Sequence, residues 1–264
     1  MHIKPKKRLG QNFLIDKNIR NKIIYALGLK PSDIVLEIGP GKGELTRIIA
    51  GFVNHVYAVE IDTVLSNLLN ENLSDLKSIS IINKDILKLN IEEIFAKHKQ
   101  KIKVFGNIPY YISSPIIEKL IDSRDFISEA FLTVQKEFAE RIIASPGTKD
   151  YGSFSCFVQY FTEPKIMFKI SRNCFFPVPK VDSSLVLLKT RQVPPVHLNE
   201  EGRFFKIIRA AFNKRRKTLR NSLENVVSKE LLLHFFKEFN IDENTRPESL
   251  SLNDFANLSN LKNN

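Results

Sequence analysis

The fold is constrained most by an alternation of short apolar runs with longer helical segments, which begins at residue 33. The apolar runs are candidate strands at residues 34–38, 56–60, 80–83, 102–106, 130–134, 165–170 and 184–189. Helical segments follow the first five of them, at residues 45–50, 64–73, 91–97, 115–121 and 136–144. Strands that alternate with helices form parallel sheets covered by helices. The sequence therefore predicts an α/β domain built on a seven-stranded sheet.

The C-terminal part of the chain has a different character. The pair Pro194 and Pro195 marks a linker, and the residues beyond it have helical periodicity. Phe205, Ile208 and Phe212 follow the spacing of a buried helical face. We therefore predict two domains, residues 1–192 and a small all-α domain of residues 193–264.

Basic residues are concentrated in two blocks of a chain whose formal net charge is +11. The first block includes Lys7 and Arg8, and no acidic residue precedes Asp16. The second lies between residues 203 and 220, again without an acidic residue, and contains Lys206, Arg209, Lys214, Arg215, Arg216, Lys217 and Arg220. A solvated helix face usually mixes charges of both signs. Unmixed basic blocks favour a polyphosphate partner such as a nucleic acid.

The apolar runs, the N-terminus and the cysteines bear on where the protein works and whether it binds metal. No apolar run approaches the roughly 20 residues that a membrane span needs. The N-terminus lacks the apolar segment of a secretory signal, so we expect a cytoplasmic protein with no membrane partner. Cys156 and Cys174 lack the spacing of a metal site or a disulfide framework, and we expect no metal.

A glycine-rich turn follows the first candidate strand. Glu37 precedes glycines at positions 39, 41 and 43, and such glycines let the backbone approach a ligand closely. The dinucleotide fingerprint would require its third glycine at position 44, which is Glu44, so the pattern weighs against NAD and FAD. An acidic residue before such a turn is typical of S-adenosylmethionine sites. A purely structural turn is the alternative.

Two further carboxylates follow the second and third candidate strands. Glu60 stands where a carboxylate can bind both hydroxyls of a ribose, or it is a strand-end charge in solvent. Asp85 can accept a hydrogen bond from the amino group of a cofactor's adenine, or it caps a helix. Because the acids, the glycine turn and the next motif follow successive strands in order, we expect one site at the carboxyl edge of the sheet.

The tetrapeptide at residues 107–110 suits methylation of an exocyclic amino group on a base. That nitrogen is a poor nucleophile, and two hydrogen-bond acceptors can draw it towards tetrahedral geometry. The Asn107 side-chain oxygen is one; the other is the main-chain carbonyl just before Pro109 and Tyr110, or that of Pro109 itself. Tyr110 can stack on the ring. The alternative is an ordinary turn.

Together these residues resemble the ribosomal RNA adenine N6-dimethyltransferase family almost from end to end. The matching strings are residues 7–14, 37–43, 107–115, 135–141, 151–153 and 175–183. The resemblance implies a Rossmann-like methyltransferase sheet with S-adenosylmethionine as cofactor. It assigns cofactor contacts to Asn12, Leu14, Gly39, Gly41, Glu60, Asp85 and Asn107. It also implies that Phe175 closes on the target adenine from the face opposite Tyr110, although Phe175 can instead be a core residue.

The small-subunit branch of the family is favoured over a sister group that methylates large-subunit RNA. The features that favour it are the doubled tyrosine at residues 110–111 and the strings at residues 214–220 and 246–251. The resemblance then implies dimethylation of two adjacent adenosines near the 3′ end of small-subunit ribosomal RNA. The predicted partner is the immature small (30S) subunit, bound by a monomer. The predicted RNA contacts are Lys7, Arg8, Lys214, Arg215, Arg216, Lys217 and Arg220.

Domain roles follow from the same resemblance. Residues 1–192 would bind the cofactor and catalyse the transfer, and residues 193–264 would recognise RNA. Two alternatives come from other classes. One is an assembly factor that acts mainly by binding the immature subunit. The other is a DNA adenine methyltransferase, which is disfavoured because no target-recognition insert is evident.

Overall fold

The structure is a computed structural model that describes residues 5–214 and 217–262. The chain divides into two compact units. The first takes in the chain up to Ala139 together with Glu163–Thr190, and the second takes in Glu140–Thr162 together with the chain from Arg191 onward. The second unit thus contains residues 140–162 in addition to the predicted C-terminal helices. The predicted roles of residues 1–192 and 193–264 stay a prediction.

The strands in chain order are β1 (Phe13–Leu14), β2 (Ile34–Ile38), β3 (His55–Glu60), β4 (Ile79–Asn83), β5 (Ile102–Asn107), β6 (Ile127–Gln135), β7 (Thr162–Ile170), β8 (Phe175–Phe176) and β9 (Ser183–Thr190). The first helices are α1 (Lys17–Leu27), α2 (Glu44–Ala50), α3 (Thr63–Asn72), α4 (Ile91–His98), α5 (Ser113–Asp122) and α6 (Lys136–Ile143). The second unit contributes α7 (Ser153–Phe161), α8 (Glu201–Asn213), α9 (Leu219–Leu223), α10 (Lys229–Glu238) and α11 (Leu252–Asn260).

The main sheet, as far as residues 5–214 and 217–262 define it, has seven strands in the order β4-β3-β2-β5-β6-β9-β7. The pairs from β4 to β6 are parallel, whereas β6 and β9 are antiparallel. The predicted seven-stranded α/β fold is confirmed. The chain runs outward from β2 to β4 and then returns to the other side of β2 at β5. Ligand crevices in such sheets lie at the carboxyl ends of the strands beside that reversal.

Buried contacts hold the first unit together around β2, whose five residues are all buried. Gly43 has a φ of 82°, and a Cβ there would lie 2.7 Å from Cδ2 of Leu69, so only glycine lets the turn approach α3 this closely. Lys103 is 7% exposed, and its ammonium contacts Asp33 at 3.0 Å and Glu129 at 3.2 Å. The two carboxylates compensate a buried charge that would otherwise be costly.

The second unit packs helices around aromatic side chains. Phe204, Phe235 and Phe255 are fully buried, one each from α8, α10 and α11. Cys156 on α7 is also buried, and its Sγ lies 3.2 Å from the hydroxyl of Tyr151. Burial raises the pKa of the Cys156 thiol to about 12, so it stays protonated at neutral pH. Within the described part of the chain, no helix is long and apolar enough to cross a membrane.

Candidate active site

A cleft opens at the carboxyl ends of β2, β3 and β5. Most of the cofactor-binding and catalytic residues predicted from the sequence line it, namely Asn12, Gly39, Gly41, Glu60, Asp85, Asn107, Pro109 and Tyr110. Leu14 lines a second cavity that shares Gly41 and Asn107 with the first. The structure therefore brings together residues that are up to 98 positions apart in the chain, from Asn12 to Tyr110.

The glycine turn after β2 forms one wall of the cleft. Gly39 and Gly41 have φ values of 69° and 60°, which L side chains rarely adopt. A Cβ on Gly41 would lie 3.1 Å from the ring of Phe13. The turn thus exposes bare backbone to the cleft, which fits close approach of a ligand.

Glu60 at the end of β3 is 4% exposed and is held by two main-chain donors. The N–H of Gly41 donates to Oε2 at 3.3 Å, and the N–H of Asp62 donates to Oε1 at 2.9 Å. Burial raises the pKa of Glu60, while these hydrogen bonds oppose the rise. Because each carboxylate oxygen has a second lone pair, Glu60 can still accept bonds from a pair of hydroxyl groups.

Asp85 follows β4 and caps a short 3-10 helix, Ile86–Lys88. Its Oδ1 accepts a hydrogen bond from the N–H of Leu87 at 3.0 Å. The capping interpretation is therefore correct for this oxygen. Asp85 and Ile86 also line the cleft, so the same side chain can cap the turn with one oxygen and bind a ligand with the other.

Glu37 lies at the floor of the second cavity and is 2% exposed. Its Oε2 has no hydrogen-bond partner among the residues that the structure describes. Burial raises the pKa of Glu37 to about 7, with an opposing contribution from the Thr46 hydroxyl and a smaller upward one from the charge of Glu60. A buried acceptor without a partner that faces a cavity fits a ligand that carries a hydrogen-bond donor there.

Asn107 ends β5, and its side chain is fixed by the N-terminal segment. Its Nδ2 donates a 2.8 Å hydrogen bond to the main-chain carbonyl of Asn12. Asn12 in turn donates from its own Nδ2 to the carbonyl of Gly10 at 3.3 Å. The bond to Asn12 uses the nitrogen of Asn107 and leaves the oxygen as an acceptor in the cleft.

The start of α5 distinguishes the two main-chain carbonyls considered as the second acceptor, those of Ile108 and Pro109. The Pro109 carbonyl accepts hydrogen bonds from the N–H of Ile112 at 3.2 Å and the hydroxyl of Ser113 at 3.4 Å. It is therefore engaged by the helix that follows. Ile108 also lines the cleft, and its carbonyl is the one that precedes Pro109. The sequence leaves these two carbonyls as alternatives, because nothing distinguishes them until the helix is in place.

Tyr110 is half-buried, and its hydroxyl lies 2.6 Å from Oγ of Ser183 on β9. Burial raises the pKa of Tyr110, and the hydrogen bond to Ser183 lowers it in part. The ring is thus neutral and anchored at its far end beside Asn107. Sequence reasoning missed Ser183 because β9 approaches β6 only through the antiparallel pairing of the folded sheet.

The surroundings of Phe175 favour the core alternative. Its side chain is 1% exposed and packs in the core with Ile23 and Leu185, so a contact with the target base stays a prediction. Pairing of β8 with β1 places Phe175 opposite Leu14, and successive side chains on a strand face opposite ways. Phe176, which is 57% exposed, therefore takes the outward position.

The N-terminal segment is fastened to the cleft by a cluster that we call the Asp62 clasp, made of Lys6, Gln11 and Asp62. The ammonium of Lys6 lies 2.7 Å from Oδ1 of Asp62, and Nε2 of Gln11 donates to Oδ2 at 3.1 Å. Burial works against the charge on Asp62, but these donors outweigh it and hold its pKa below the usual value. Residues 9–13, which include Gln11 and run into β1, line the cleft.

The predicted RNA contacts are described only in part. Arg215, Arg216 and the side chain of Lys7 lie outside the described residues. Arg8 and Lys217 are exposed. Lys214 pairs with Glu224, and Arg220 pairs with Glu243, each at 2.8 Å. Exposed pairs of this kind contribute little to stability, so these cations can exchange partners at small cost.

Comparison with known proteins agrees with this geometry. A family model described as ribosomal RNA adenine dimethylase matches residues 2–264. A ribosomal RNA small subunit methyltransferase A from Caldanaerobacter subterraneus subsp. tengcongensis is 44% identical over 261 residues, covering 98% of this chain and 97% of that protein.

Two solved structures share the fold over nearly the whole chain. A dimethyladenosine transferase from Plasmodium falciparum is 29% identical with a TM-score of 0.80, covering 93% of this chain and 95% of that one. The 23S rRNA methyltransferase ErmE is 27% identical with a TM-score of 0.74, covering 94% and 98% of the two chains. With a family match that spans residues 2–264, the chain belongs to the ribosomal RNA adenine dimethylase family.

Proposed function

We propose that the protein transfers methyl groups from S-adenosylmethionine to the N6 amino groups of two adjacent adenosines near the 3′ end of small-subunit ribosomal RNA. Each adenosine receives two methyl groups. The observation that carries the proposal is the fixed amide of Asn107, whose oxygen faces a cleft that also contains Glu60 and Asp85. Family membership and the small-subunit relative support the choice of substrate.

The cleft fits the proposed cofactor in its donors and acceptors. S-adenosylmethionine supplies an electrophilic methyl group on a sulfonium centre. Glu60 would bind the ribose hydroxyls, and Asp85 would accept from the adenine amino group. The unpartnered Oε2 of Glu37 suits the ammonium group of the amino-acid end. Asn12, Leu14, Gly39 and Gly41 would complete the cofactor site.

The protein's part in the chemistry is orientation and polarisation of the target amino group. The oxygen of Asn107 and a main-chain carbonyl would each accept one amino hydrogen. We assign the second acceptor to Ile108, since the carbonyl of Pro109 is engaged by Ile112 and Ser113. Tyr110 would stack on the base and limit its tilt. No strong base is required, because the amino group releases its proton only after it has gained positive charge, and water can accept it.

The proposed partner is the RNA of the immature small subunit, bound by a monomeric enzyme. A base inside a helix cannot reach Asn107, so the target adenosine must leave its stack. Lys7, Arg8, Lys214, Arg215, Arg216, Lys217 and Arg220 would contact phosphates. Because such contacts release counterions, binding should weaken steeply as salt rises.

A large-subunit substrate is the second candidate, because the likeness to the 23S rRNA methyltransferase ErmE is nearly as extensive. An assembly factor that acts only by binding is the third, and the complete set of cleft residues argues against it. The discriminating experiment transfers labelled methyl groups from S-adenosylmethionine to purified unmethylated small and large subunits, followed by digestion to nucleosides. Dimethyladenosine from small subunits alone is the expected result. Label in large subunits supports the second candidate, and tight small-subunit binding without label supports the third.

A further inference from the structure

We propose that Tyr111 is a stacking platform for the base that flanks the target adenosine. The inference rests on the proposed RNA substrate and extends it to a second nucleotide. Tyr111 directly follows Tyr110 in the 3-10 helix Tyr110–Ile112, yet the two rings have different environments. Tyr110 is anchored to Ser183, whereas Tyr111 is 62% exposed although it lines the cleft. The ring of Tyr111 is therefore accessible to a second base at the edge of the cleft, and aromatic rings of this kind stack on unpaired bases.

The backbone holds the ring of Tyr111 from one side. A Cβ on Gly10 would lie 3.2 Å from both Cδ1 and Cε1 of Tyr111, and 3.3 Å from Cβ of Pro109. Gly10 has a φ of 60°, so a glycine is favoured there for its conformation and for the space it leaves. The ring of Tyr111 therefore lies against the bare backbone of Gly10, while most of its surface remains open.

Removal of the target base from its stack leaves the neighbouring base without a stacking partner on that side. Aromatic side chains replace such partners in proteins that bind single-stranded RNA. Tyr111 stands one residue beyond Tyr110, the residue proposed to stack on the target. It is thus placed to receive the next base as the target enters the cleft.

Because Tyr111 lies on one side of the target pocket, it can favour one of the two adjacent adenosines over the other. When either of two adjacent adenosines is the target, the other flanks it, on the 3′ side in one case and on the 5′ side in the other. A platform on one side of the pocket can serve only one of these arrangements. Loss of Tyr111 should therefore impair methylation of one adenosine more than that of its neighbour.

The test compares Tyr111→Ala, Tyr111→Leu and Tyr111→Phe with the wild type on unmethylated small subunits. Methylation of each adenosine is followed separately by mass spectrometry of RNA fragments. Tyr111→Leu keeps an apolar side chain against Gly10 but lacks a flat ring. Tyr25→Ala is the matched control, because Tyr25 on α1 is 90% exposed and does not line the cleft.

We expect Tyr111→Ala and Tyr111→Leu to lower kcat/KM about 10-fold at one adenosine, with a smaller effect at the other. Tyr111→Phe and Tyr25→Ala should behave like the wild type. Calorimetric titration of each variant with S-adenosylhomocysteine, in the absence of RNA, should give unchanged affinity. If Tyr111 only supported residues 9–13, the affinity should instead fall. Equal losses at both adenosines, no loss, or weakened S-adenosylhomocysteine binding would each overturn the inference. Failure of the wild type to methylate small subunits would instead refute the proposed function, and the inference with it.

Discussion

The side-chain amide of Asn107 donates a 2.8 Å hydrogen bond to the main-chain carbonyl of Asn12, which lies 95 residues earlier in the chain. This bond selects one of the two orientations that an amide can adopt. The nitrogen points to the N-terminal segment, and the oxygen remains for the target amino group. The N-terminal segment thus orients the proposed catalytic side chain in addition to lining the cleft.

Substitution of Asn107 by alanine should abolish most of the methyl transfer. The target amino group would lose one of its two acceptors, and losses of about 10²- to 10³-fold are usual when one oriented hydrogen-bonding group is removed from an active site. Labelled methyl transfer to small subunits measures the effect. Filter binding of the same subunits should be unchanged, as it should be for Asn18→Ala, an exposed control on α1. Loss of activity together with loss of binding would show that Asn107 has a structural role.

Glu37 should give the free protein a characteristic dependence of stability on pH. Its pKa is raised from 4.5 to about 7 in the folded state, so the folded protein retains a proton that the unfolded chain releases. The free energy of unfolding should therefore decrease as pH rises from the unfolded value to the folded one, by about 3 kcal/mol in total.

The E37Q variant should lack this decrease, because glutamine does not ionise. Urea unfolding of both proteins between pH 4 and pH 8 measures the difference, and E37Q should be the more stable at the upper end of that range. Glu71→Gln, at an exposed glutamate, should follow the wild type. Parallel curves for wild type and E37Q would show that the pKa of Glu37 is the same in the folded and unfolded states.

Ser183 should act through Tyr110. In Ser183→Ala the half-buried hydroxyl of Tyr110 loses its partner, which should cost about 1 kcal/mol in the free energy of unfolding. The matched control is Ser184→Ala, because Oγ of Ser184 is buried and has no hydrogen-bond partner among the described residues. That substitution should be neutral or stabilising. A double-mutant cycle with Tyr110→Phe should reveal a coupling of about 1 kcal/mol, and strict additivity would contradict it.

Arg220 should contribute one phosphate contact. In Arg220→Ala the logarithm of the RNA binding constant should depend on the logarithm of salt concentration with a slope smaller by about 0.7 to 0.9. Glu243→Ala should act in the opposite direction and tighten binding, since it frees Arg220 from its 2.8 Å ion pair. Salt titrations with small-subunit RNA measure both effects, and Lys77→Ala provides an exposed control. Equal slopes for all variants would place the RNA elsewhere.

Much of the sheet follows from local sequence. The strand at residues 34–38 was predicted with its observed bounds, because an unbroken apolar run before a glycine turn leaves few alternatives. The other six strands of the main sheet were each found within a few residues of the predicted ends. The position of the site was also predictable, since parallel strands bring their carboxyl ends to the same edge of the sheet.

Other features depend on contacts between distant segments. Pairing of β1 with β8 joins two residues from each strand that are 161 to 163 positions apart, and no periodicity of so short a segment signals it. The burial of Phe175 follows from that pairing. The choice between the carbonyls of Ile108 and Pro109 depends on where α5 begins. Local patterns therefore located the site, while its finer orientation came from tertiary contacts.

The Asp62 clasp has a consequence for turnover. Two adenosines that each accept two methyl groups require a fresh methyl donor after every transfer, while the RNA remains nearby. The spent donor leaves a cleft that residues 9–13 line, and Lys6 and Gln11 tie that segment to the aspartate beside Glu60. Any movement of that segment away from the cleft would have to break one ion pair and one hydrogen bond from the Gln11 amide. The contacts that shape the resting site are therefore few and polar, and water can replace them.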